Sequence, residues 1–358
     1  MANKIFFILA GIGLPISIIG SLMHWPSTWM FGVYCFTIIA LAGIMGTATE
    51  SLAIVAGPRI GGLLNATFGN AVELIISIFS LKAGLIGVVL ASLTGSVIGN
   101  LLLVGGLSFL VGGLRFKRQV FSIYDARHNV GLLMFSVIVA FMIPELFTIY
   151  MNDDKKMALS VGISVILIIL YLAALLFKLF THRGVYPATK QAGVSGVPEE
   201  REEEKPEWSK WKAIVILFLA TLAVAYVSES LVHTFQAVGE TFGWSELFIG
   251  VIIVAIVGNA AEHASAIIMA YKNKMEVAVE IAIGSTLQIA MFVAPVLVLL
   301  SLFFPTQMPL VFTVPELVAM ATAVLLAIVI VNDGESNWFE GLTMLAAYLI
   351  MGIGFYLL

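Results

Sequence analysis

Apolar segments of about twenty residues or more follow one another through most of the chain, and few charges interrupt them. A helix needs about 20 consecutive apolar residues to cross the hydrocarbon core of a bilayer. Charged residues make up 11% of the sequence, whereas an ordinary soluble domain has about 25%. The sequence therefore predicts an all-α integral membrane protein.

Turn or charge signals divide the apolar sequence into separate spans, and they predict eleven transmembrane helices. These run at about 4–23, 29–56, 61–82, 84–113, 126–150, 157–180, 211–238, 246–271, 276–303, 312–331 and 337–357. The first has the length of a secretory signal, but no small-x-small cleavage site follows it. We therefore interpret it as a spanning helix.

The distribution of basic residues predicts the orientation in a cell membrane. With the N-terminus in the cytoplasm and the C-terminus outside, all but three of the eighteen Lys and Arg fall on the inner side. The exceptions are Lys82, Lys155 and Lys156. Because the basic residues occur singly or in pairs between apolar blocks, no nucleic-acid-binding surface is expected.

Two short motifs recur at one fixed spacing. An offset of 189 residues aligns "GNAVE" at 69–73 with "GNAAE" at 258–262, and it aligns Gly95 and Ser96 with Gly284 and Ser285 without a gap. The matching spans are five apart, so the two copies are expected to cross the membrane in opposite directions. Such inverted repeats are typical of secondary transporters, which bind substrate near the midplane where the repeats meet.

The repeat predicts how the chain is organised. Residues 1–28 form an N-terminal helix, 29–181 a first five-helix repeat, and 211–358 a second five-helix repeat. Between the repeats, 182–210 contains "PEEREEEKPE" and is expected to be a solvated acidic linker in the cytoplasm.

Each motif places a carboxylate and an amide within an apolar span. Asn70 and Glu73 share one helix face, as do Asn259 and Glu262. A charge at this depth costs roughly 2.5–3.5 kcal/mol even on the lenient insertion scale, so it needs a cavity, a partner or an ion. Two converging carboxylates match a divalent cation in charge.

Ca²⁺ takes about six to eight oxygen ligands in an adaptable cage. The two glutamates supply up to four oxygens, and the expected further ligands are the amide or hydroxyl oxygens of Asn70, Asn259, Gln288, Ser96 and Ser285. Without the metal, two carboxylates in a dry site repel each other, so protons can replace Ca²⁺ on the same oxygens. Occupancy by one or the other, never both, is the condition for obligatory exchange.

Four further polar residues are candidates for the ion or proton path. Glu50 and Glu229 lie in the second and seventh spans, but the offset of 189 does not align them, because their separation is 179. His263 follows Glu262, where it either tunes that carboxylate or fills a polar pocket. Asn100 aligns with Ile289, so the two halves of the site are not identical.

At these residues the chain resembles the Ca²⁺/H⁺ antiporters of the cation/Ca²⁺ exchanger superfamily, in a bacterial form. The strings that carry the resemblance are "GGLLNATFGNAVELIISI", "GSVIGNLLLVGG", "VGNAAEHASAI" and "GSTLQIAMFVAPVLVLLS". The resemblance covers almost the whole chain. It implies that Glu73 and Glu262 carry the ion and the protons, and that the protein assembles as a homo-oligomer.

Other functions fit the sequence less well or stay open. A Na⁺/Ca²⁺ exchanger, or an exchanger of another divalent cation, would use the same fold. A passive channel is also compatible with inverted repeats. The chain contains neither an HExxH motif nor a G-x-S-x-G motif, so an enzyme is not expected. No cofactor is predicted, since Ca²⁺ is the transported substrate.

Overall fold

The computed structural model describes residues 2–177, Thr181 and residues 206–358. Most of the predicted acidic linker, 182–205, lies outside the described residues. The described chain is almost entirely helical, and its only strands are two short ones, β1 (Gln119–Val120) and β2 (Glu335–Ser336).

Eight helices precede the linker. They are α1 (Ala2–Leu22), α2 (Ser27–Phe68), α3 (Ala71–Lys82), α4 (Ile86–Ile98), α5 (Gly105–Arg115), α6 (Ile123–Met134), α7 (Ile143–Thr148) and α8 (Asp153–Leu176). The π-helical turns Gly99–Val104 and Phe135–Met142 join α4 to α5 and α6 to α7. In α2 the helix bends at Gly57, whose φ of 81° is in the region that glycine adopts at no steric cost.

Nine helices follow the linker. They are α9 (Lys210–Val232), α10 (Phe235–Phe242), α11 (Glu246–Phe248), α12 (Ala255–Gly258), α13 (Ala260–Tyr271), α14 (Met275–Gln288), α15 (Ala294–Ser301), α16 (Val314–Ile330) and α17 (Trp338–Leu357). The π-helical turn Ile249–Val254 joins α11 to α12, and Ile289–Val293 joins α14 to α15. A 3₁₀ turn, Val331–Asp333, extends α16.

Among the described residues, nine helical segments are long and apolar enough to cross a bilayer, or ten if a bent pair counts as one span. The bent pair is Phe235–Phe242 with Glu246–Gly258, which meet at 118°. The chain is thus an all-helical membrane protein with about nine or ten candidate spans. Three of the eleven predicted spans are not continuous helices. The spans 61–82 and 246–271 are each interrupted at an asparagine, and 211–238 is interrupted by the turn between α9 and α10.

The helices pack in two apolar clusters. One is built mainly from the α4–α5 and α14–α15 segments with α6, α8, α16 and α17, and the other from α1, α2, α3 and α9. The segments Ile86–Arg115 and Met275–Ser301 are largely buried, whereas α1, α8 and α17 expose most of their residues. The buried segments lie at the centre and carry the polar residues of the site.

Gln119 lies where β1, β2 and the end of α13 meet, at one end of the bundle. Its strand β1 pairs antiparallel with β2, and the neighbouring Arg118 forms an ion pair with Glu335 that raises the pKa of the guanidinium. The buried Gln119 amide donates 2.9 Å hydrogen bonds to the Ala270 carbonyl and to Asn273 Oδ1. Since α13 ends at Tyr271, Gln119 fixes the end of the helix that carries Glu262.

Replacing Gln119 by Ala is expected to lower the free energy of unfolding by about 1–3 kcal/mol, because it leaves the buried Ala270 carbonyl without its donor. Thermal melting in detergent measures the change. Gln236→Ala is the control, since Gln236 bonds only the exposed Glu240 side chain four residues away among the contacts described. Equal melting temperatures for the two variants would contradict this role.

Candidate functional site

Asn70 and Asn259 interrupt their spans with almost the same backbone geometry. Their φ and ψ angles are −100° and 18° for Asn70, and −103° and 8° for Asn259. Each asparagine is the residue before a new helix, and Glu73 or Glu262 follows in its first turn. The positive end of a helix dipole favours a negative charge at this position. The two breaks therefore place both carboxylates at half-helix N-termini.

Each motif's glycine packs against the other motif's glutamate. A Cβ added to Gly258 would lie 3.2 Å from Glu73 Cβ, and one added to Gly69 would lie 3.0 Å from Glu262 Oε1. Each glutamate therefore lies beside the helix break of the opposite motif. Glu73 is fully buried and Glu262 is partly buried. The glycines let the two interrupted helices cross closely enough to bring the two acids together.

The serines also bond across the two motifs. Ser96 Oγ donates to Glu73 Oε1 at 2.6 Å and accepts from Asn259 Nδ2 at 2.9 Å. In the other half, Ser285 donates to Asn70 Oδ1 at 3.3 Å and also contacts the Glu262 carboxyl group. Each serine thus joins the glutamate of its own half to the asparagine of the other half.

A chain of hydrogen bonds crosses the site from His263 to Gln288, and each residue in it donates to the next. Asn100 Nδ2 donates to Ser285 at 2.9 Å, and Asn70 Nδ2 donates to Gln288 Oε1 at 2.5 Å. Because its amide nitrogen donates, Asn100 presents Oδ1 to His263 Nε2 at 3.1 Å, so His263 is the donor there. The structure thus brings together all seven residues predicted as ligands, and Asn100 and His263 belong to the same network.

Three buried oxygens in the site have no hydrogen-bond partner among the described residues. They are Glu73 Oε2, Glu262 Oε2 and Asn259 Oδ1. Buried oxygens without a donor lose hydration with nothing in return, and a bound cation or proton would compensate that loss. No group of three His, Cys, Asp or Glu side chains converges in the described part of the chain. Two acids with amide and hydroxyl oxygens suit a transported ion rather than a permanently bound metal.

The two sides of the site differ in packing. A Cβ added to Gly95 would overlap the Val251 backbone, whereas one added to Gly284, the equivalent position, would meet nothing within 4 Å. Ile249 is 2% exposed, but its equivalent Ile60 is 56% exposed. The segment 246–258 therefore closes on α4, and the equivalent segment 58–68 leaves α14 open.

The described contact of Glu229 lies outside this network. Glu229 lies in the last turn of α9 and forms a 2.9 Å ion pair with Lys82, and both side chains are substantially exposed. An exposed pair of this kind contributes little to stability, because water screens the two charges. Glu50 has an exposed side chain on α2. A role for either residue on an ion or proton path stays a prediction.

The sequence did not reveal the cross-packing of Gly69 and Gly258 on the opposite glutamates, nor the closure of one side only. A repeat identifies equivalent residues, but it does not say which copy is packed. Only the structure shows that Ile60 is exposed while its equivalent, Ile249, is buried.

Comparison with known proteins identifies the family of this chain. The sequence model described as "Sodium/calcium exchanger protein" matches residues 26–180 and 212–357. The chain belongs to this family. The two matched ranges contain both motifs and leave out the acidic linker.

Curated relatives of this sodium/calcium exchanger family member match nearly end to end. The "Ca(2+)/H(+) antiporter ChaA" of Bacillus subtilis (strain 168) is 71% identical over 356 residues, covering 99% of this chain and all of the relative. The "Ca(2+)/H(+) antiporter" of Aphanothece halophytica is 44% identical over 365 residues, covering 99% and 96%.

Solved structures agree in fold. "Structure of native YfkE" matches with a TM-score of 0.86 and 66% identity, covering 99% of this chain and 100% of that one. "Crystal Structure of H+/Ca2+ Exchanger CAX" matches with a TM-score of 0.75, covering 100% and 93%. At 15% identity the second likeness concerns the fold alone.

Proposed function

We propose that this protein is a secondary active transporter that exchanges cytoplasmic Ca²⁺ for external H⁺. The observation that carries the proposal is the meeting of Glu73 and Glu262 at a buried site, each with one oxygen that no protein donor occupies. The names of two near full-length relatives, both Ca²⁺/H⁺ antiporters, support the choice of ions.

Ca²⁺ would bind between the two carboxylates. The unpartnered Asn259 Oδ1 is a third oxygen, and water and hydroxyl oxygens complete a shell that Ca²⁺ accepts in flexible geometry. The oxygens of Asn70, Ser285 and Gln288 accept hydrogen bonds in the arrangement described. Each of these oxygens keeps a second lone pair, so it can contact the ion while it accepts its hydrogen bond.

Proton coupling follows from the same atoms. When Ca²⁺ leaves, two close carboxylates with little access to water repel each other, and protonation removes that repulsion. A proton on either carboxylate removes a charge that Ca²⁺ needs. The two ions therefore exclude each other, and each half of the transport cycle requires one of them.

We infer an architecture of eleven spans, with 29–181 and 211–358 as inverted five-helix repeats after the N-terminal helix 1–28. The matching breaks at Asn70 and Asn259, and the π-helical turns that follow Ser96 and Ser285, support the repeat. The N-terminus and the linker 182–210 are placed in the cytoplasm, and the C-terminus outside, by the basic residues. A homo-oligomer in the cell membrane stays a prediction from the resemblance.

Alternating access would exchange the packing of the two halves. In this orientation the open segment 58–68 faces the cytoplasm, and the closed segment 246–258 faces outside. The arrangement described is therefore interpreted as the cytoplasm-facing state, and the outward-facing state would close 58–68 on α14 while it releases 246–258 from α4.

Everted membrane vesicles from cells that overproduce the protein test the proposal. An acidic lumen is expected to drive Ca²⁺ uptake in the absence of Na⁺, and collapse of the pH gradient by an ionophore should abolish it. Ca²⁺ flux without a counter-flow of protons would indicate a channel instead.

The family description gives Na⁺/Ca²⁺ exchange as a second candidate. The same vesicles separate the two, because an outward Na⁺ gradient with no pH gradient would then drive Ca²⁺ uptake. Strict dependence on Na⁺ would reject the proton-coupled function.

A further inference from the structure

One face of α14 is accessible from near the start of the helix to the site. Val277, Glu280, Ile281 and Gly284 are exposed or partly buried, and their spacing places them on one side of the helix. The same side continues to Gln288, which belongs to the hydrogen-bond network of the site. We call the residues 277, 280, 281 and 284 the open face of α14.

The other half of the protein closes at the equivalent face of α4. The offset of 189 aligns the open face with Val88, Ala91, Ser92 and Gly95, and all four are buried. A Cβ added to Gly250 would overlap Ala91 Cβ and would lie 2.6 Å from the Val88 carbonyl oxygen. Small residues at this contact let the two helices approach each other closely.

Glu280 is the residue of the open face that fits such a contact least. It stands where the closed side has Ala91, which is 0% exposed. Closing the side at α14 in the same way would move a longer side chain and its charge from an exposed position into a packed contact. A larger side chain strains a close-packed contact, and a buried charge loses its hydration. Ile281, in place of Ser92, adds further volume.

The segment that would close on the open face offers this carboxylate no side chain at the contact. Gly61 and Gly62 are the equivalents of Gly250 and Val251. The change from valine to glycine gives room for a longer side chain, but it supplies no group that could pair with a charge. In the arrangement described, Gly61 packs instead on Ala53 of its own helix, where an added Cβ would lie 2.7 Å from the carbonyl oxygen.

Glu276, the other acid at this end of α14, is in a different position. It lies one turn closer to the helix start, and its equivalent, Gly87, is exposed even on the closed side. A Cβ added to Gly87 would lie 2.7 Å from Oε2 of the exposed Glu246, so the closed side itself accommodates a carboxylate at this level. Glu276 is therefore expected to stay in water in both states, whereas Glu280 is not.

We propose that Glu280 sets the balance between the two states of the transporter and favours the state in which the side at α14 is open. Closing that side removes the carboxylate from water, and opening it restores the hydration. Such a bias increases the fraction of molecules whose empty site is accessible from the open side, where the proposed function has cytoplasmic Ca²⁺ enter. This inference rests on the alternating access of the proposed function.

Cysteine labelling of the purified protein in detergent, at fixed pH and without Ca²⁺, tests the role of Glu280. The background carries Cys35→Ser, because Cys35 is the single cysteine. Ile249→Cys reports opening of the closed side and Ile60→Cys reports the open side, since Ile249 is buried and Ile60 is exposed. With Glu280→Ala, we expect a maleimide to label Ile249→Cys at least about fivefold faster, and Ile60→Cys more slowly.

Glu276→Ala is the matched control, because it removes the same group one turn away on the same helix and should leave both rates unchanged. Glu280→Gln keeps the length of the side chain and removes only the charge, so it should also speed the labelling of Ile249→Cys. This second variant decides the test if Glu280→Ala does not fold.

Equal rates for Glu280→Ala and Glu276→Ala would overturn the role of Glu280, and so would slower labelling of Ile249→Cys in Glu280→Ala. The labelling requires no transport, so it is separate from the test of the exchange function. Wild-type vesicles without proton-driven Ca²⁺ uptake would reject that function itself.

Discussion

Replacing Glu262 by Gln is expected to abolish proton-coupled Ca²⁺ transport while the protein still folds. Gln keeps the size of the side chain, but it removes the charge and leaves one fewer carboxylate oxygen for the ion. We expect the dissociation constant for Ca²⁺ to rise about a hundredfold or more, which corresponds to about 2.8 kcal/mol. Calorimetry on the purified protein and uptake into vesicles measure the two effects.

Glu240→Gln is the control for this variant, because Glu240 is an exposed residue of α10 whose described partner is Gln236. It changes the same group at the surface and should transport at the wild-type rate. Glu73→Gln is expected to behave like Glu262→Gln, since one ion needs both acids. Wild-type Ca²⁺ transport by either site variant would overturn the assignment of the carboxylate pair.

Gly284→Ala is expected to give a well-folded protein that exchanges ions at least about fivefold more slowly. In the arrangement described, a Cβ at Gly284 meets nothing within 4 Å, and Ala favours a helix over Gly by about 1 kcal/mol in either state. In the opposite state Gly284 would take the place of Gly95, where an added Cβ overlaps the backbone of the facing helix, at about 1–3 kcal/mol. Because the helix preference is the same in both states, this overlap alone favours the cytoplasm-facing state and traps the protein there.

Gly95→Ala is expected to disfavour the cytoplasm-facing state, because its Cβ overlaps the Val251 backbone in the arrangement described. Labelling of Ile60→Cys by an impermeant maleimide reports the state, in a background where the single cysteine, Cys35, is replaced by Ser. Labelling from the cytoplasmic side should increase with Gly284→Ala and decrease with Gly95→Ala. The same labelling and the same transport rate in both variants would refute alternating packing at these glycines.

Much of the site was predictable from the sequence because polar residues are costly within apolar spans. Glu73, Glu262, Asn70 and Asn259 are identified by that cost and by their repetition at one offset. Gln288 and Ser285 follow from the second motif, and the structure places both in the hydrogen-bond network. Asn100 was less certain because its equivalent is Ile289, yet it bonds both Ser285 and His263.

The ion pair of Glu229 could not be predicted from the sequence. Within an apolar segment it has the same appearance as Glu73, but it lies one turn from the helix end and pairs with Lys82, which is 147 residues away in the chain. The sequence does not reveal which distant charge meets a carboxylate. The same is true of Gln119, whose partners lie on the turn after α13.

The sequence by itself determined that the chain is a helical membrane protein, and it identified which acids the repeat pairs. These features follow from local physics, namely the cost of polar groups in lipid and the effect of glycine and asparagine on a helix. Only the tertiary structure decided which half closes and how the amides point. Equivalent sequences in the two repeats fit both states, so the choice between them depends on packing between helices that are far apart in the chain.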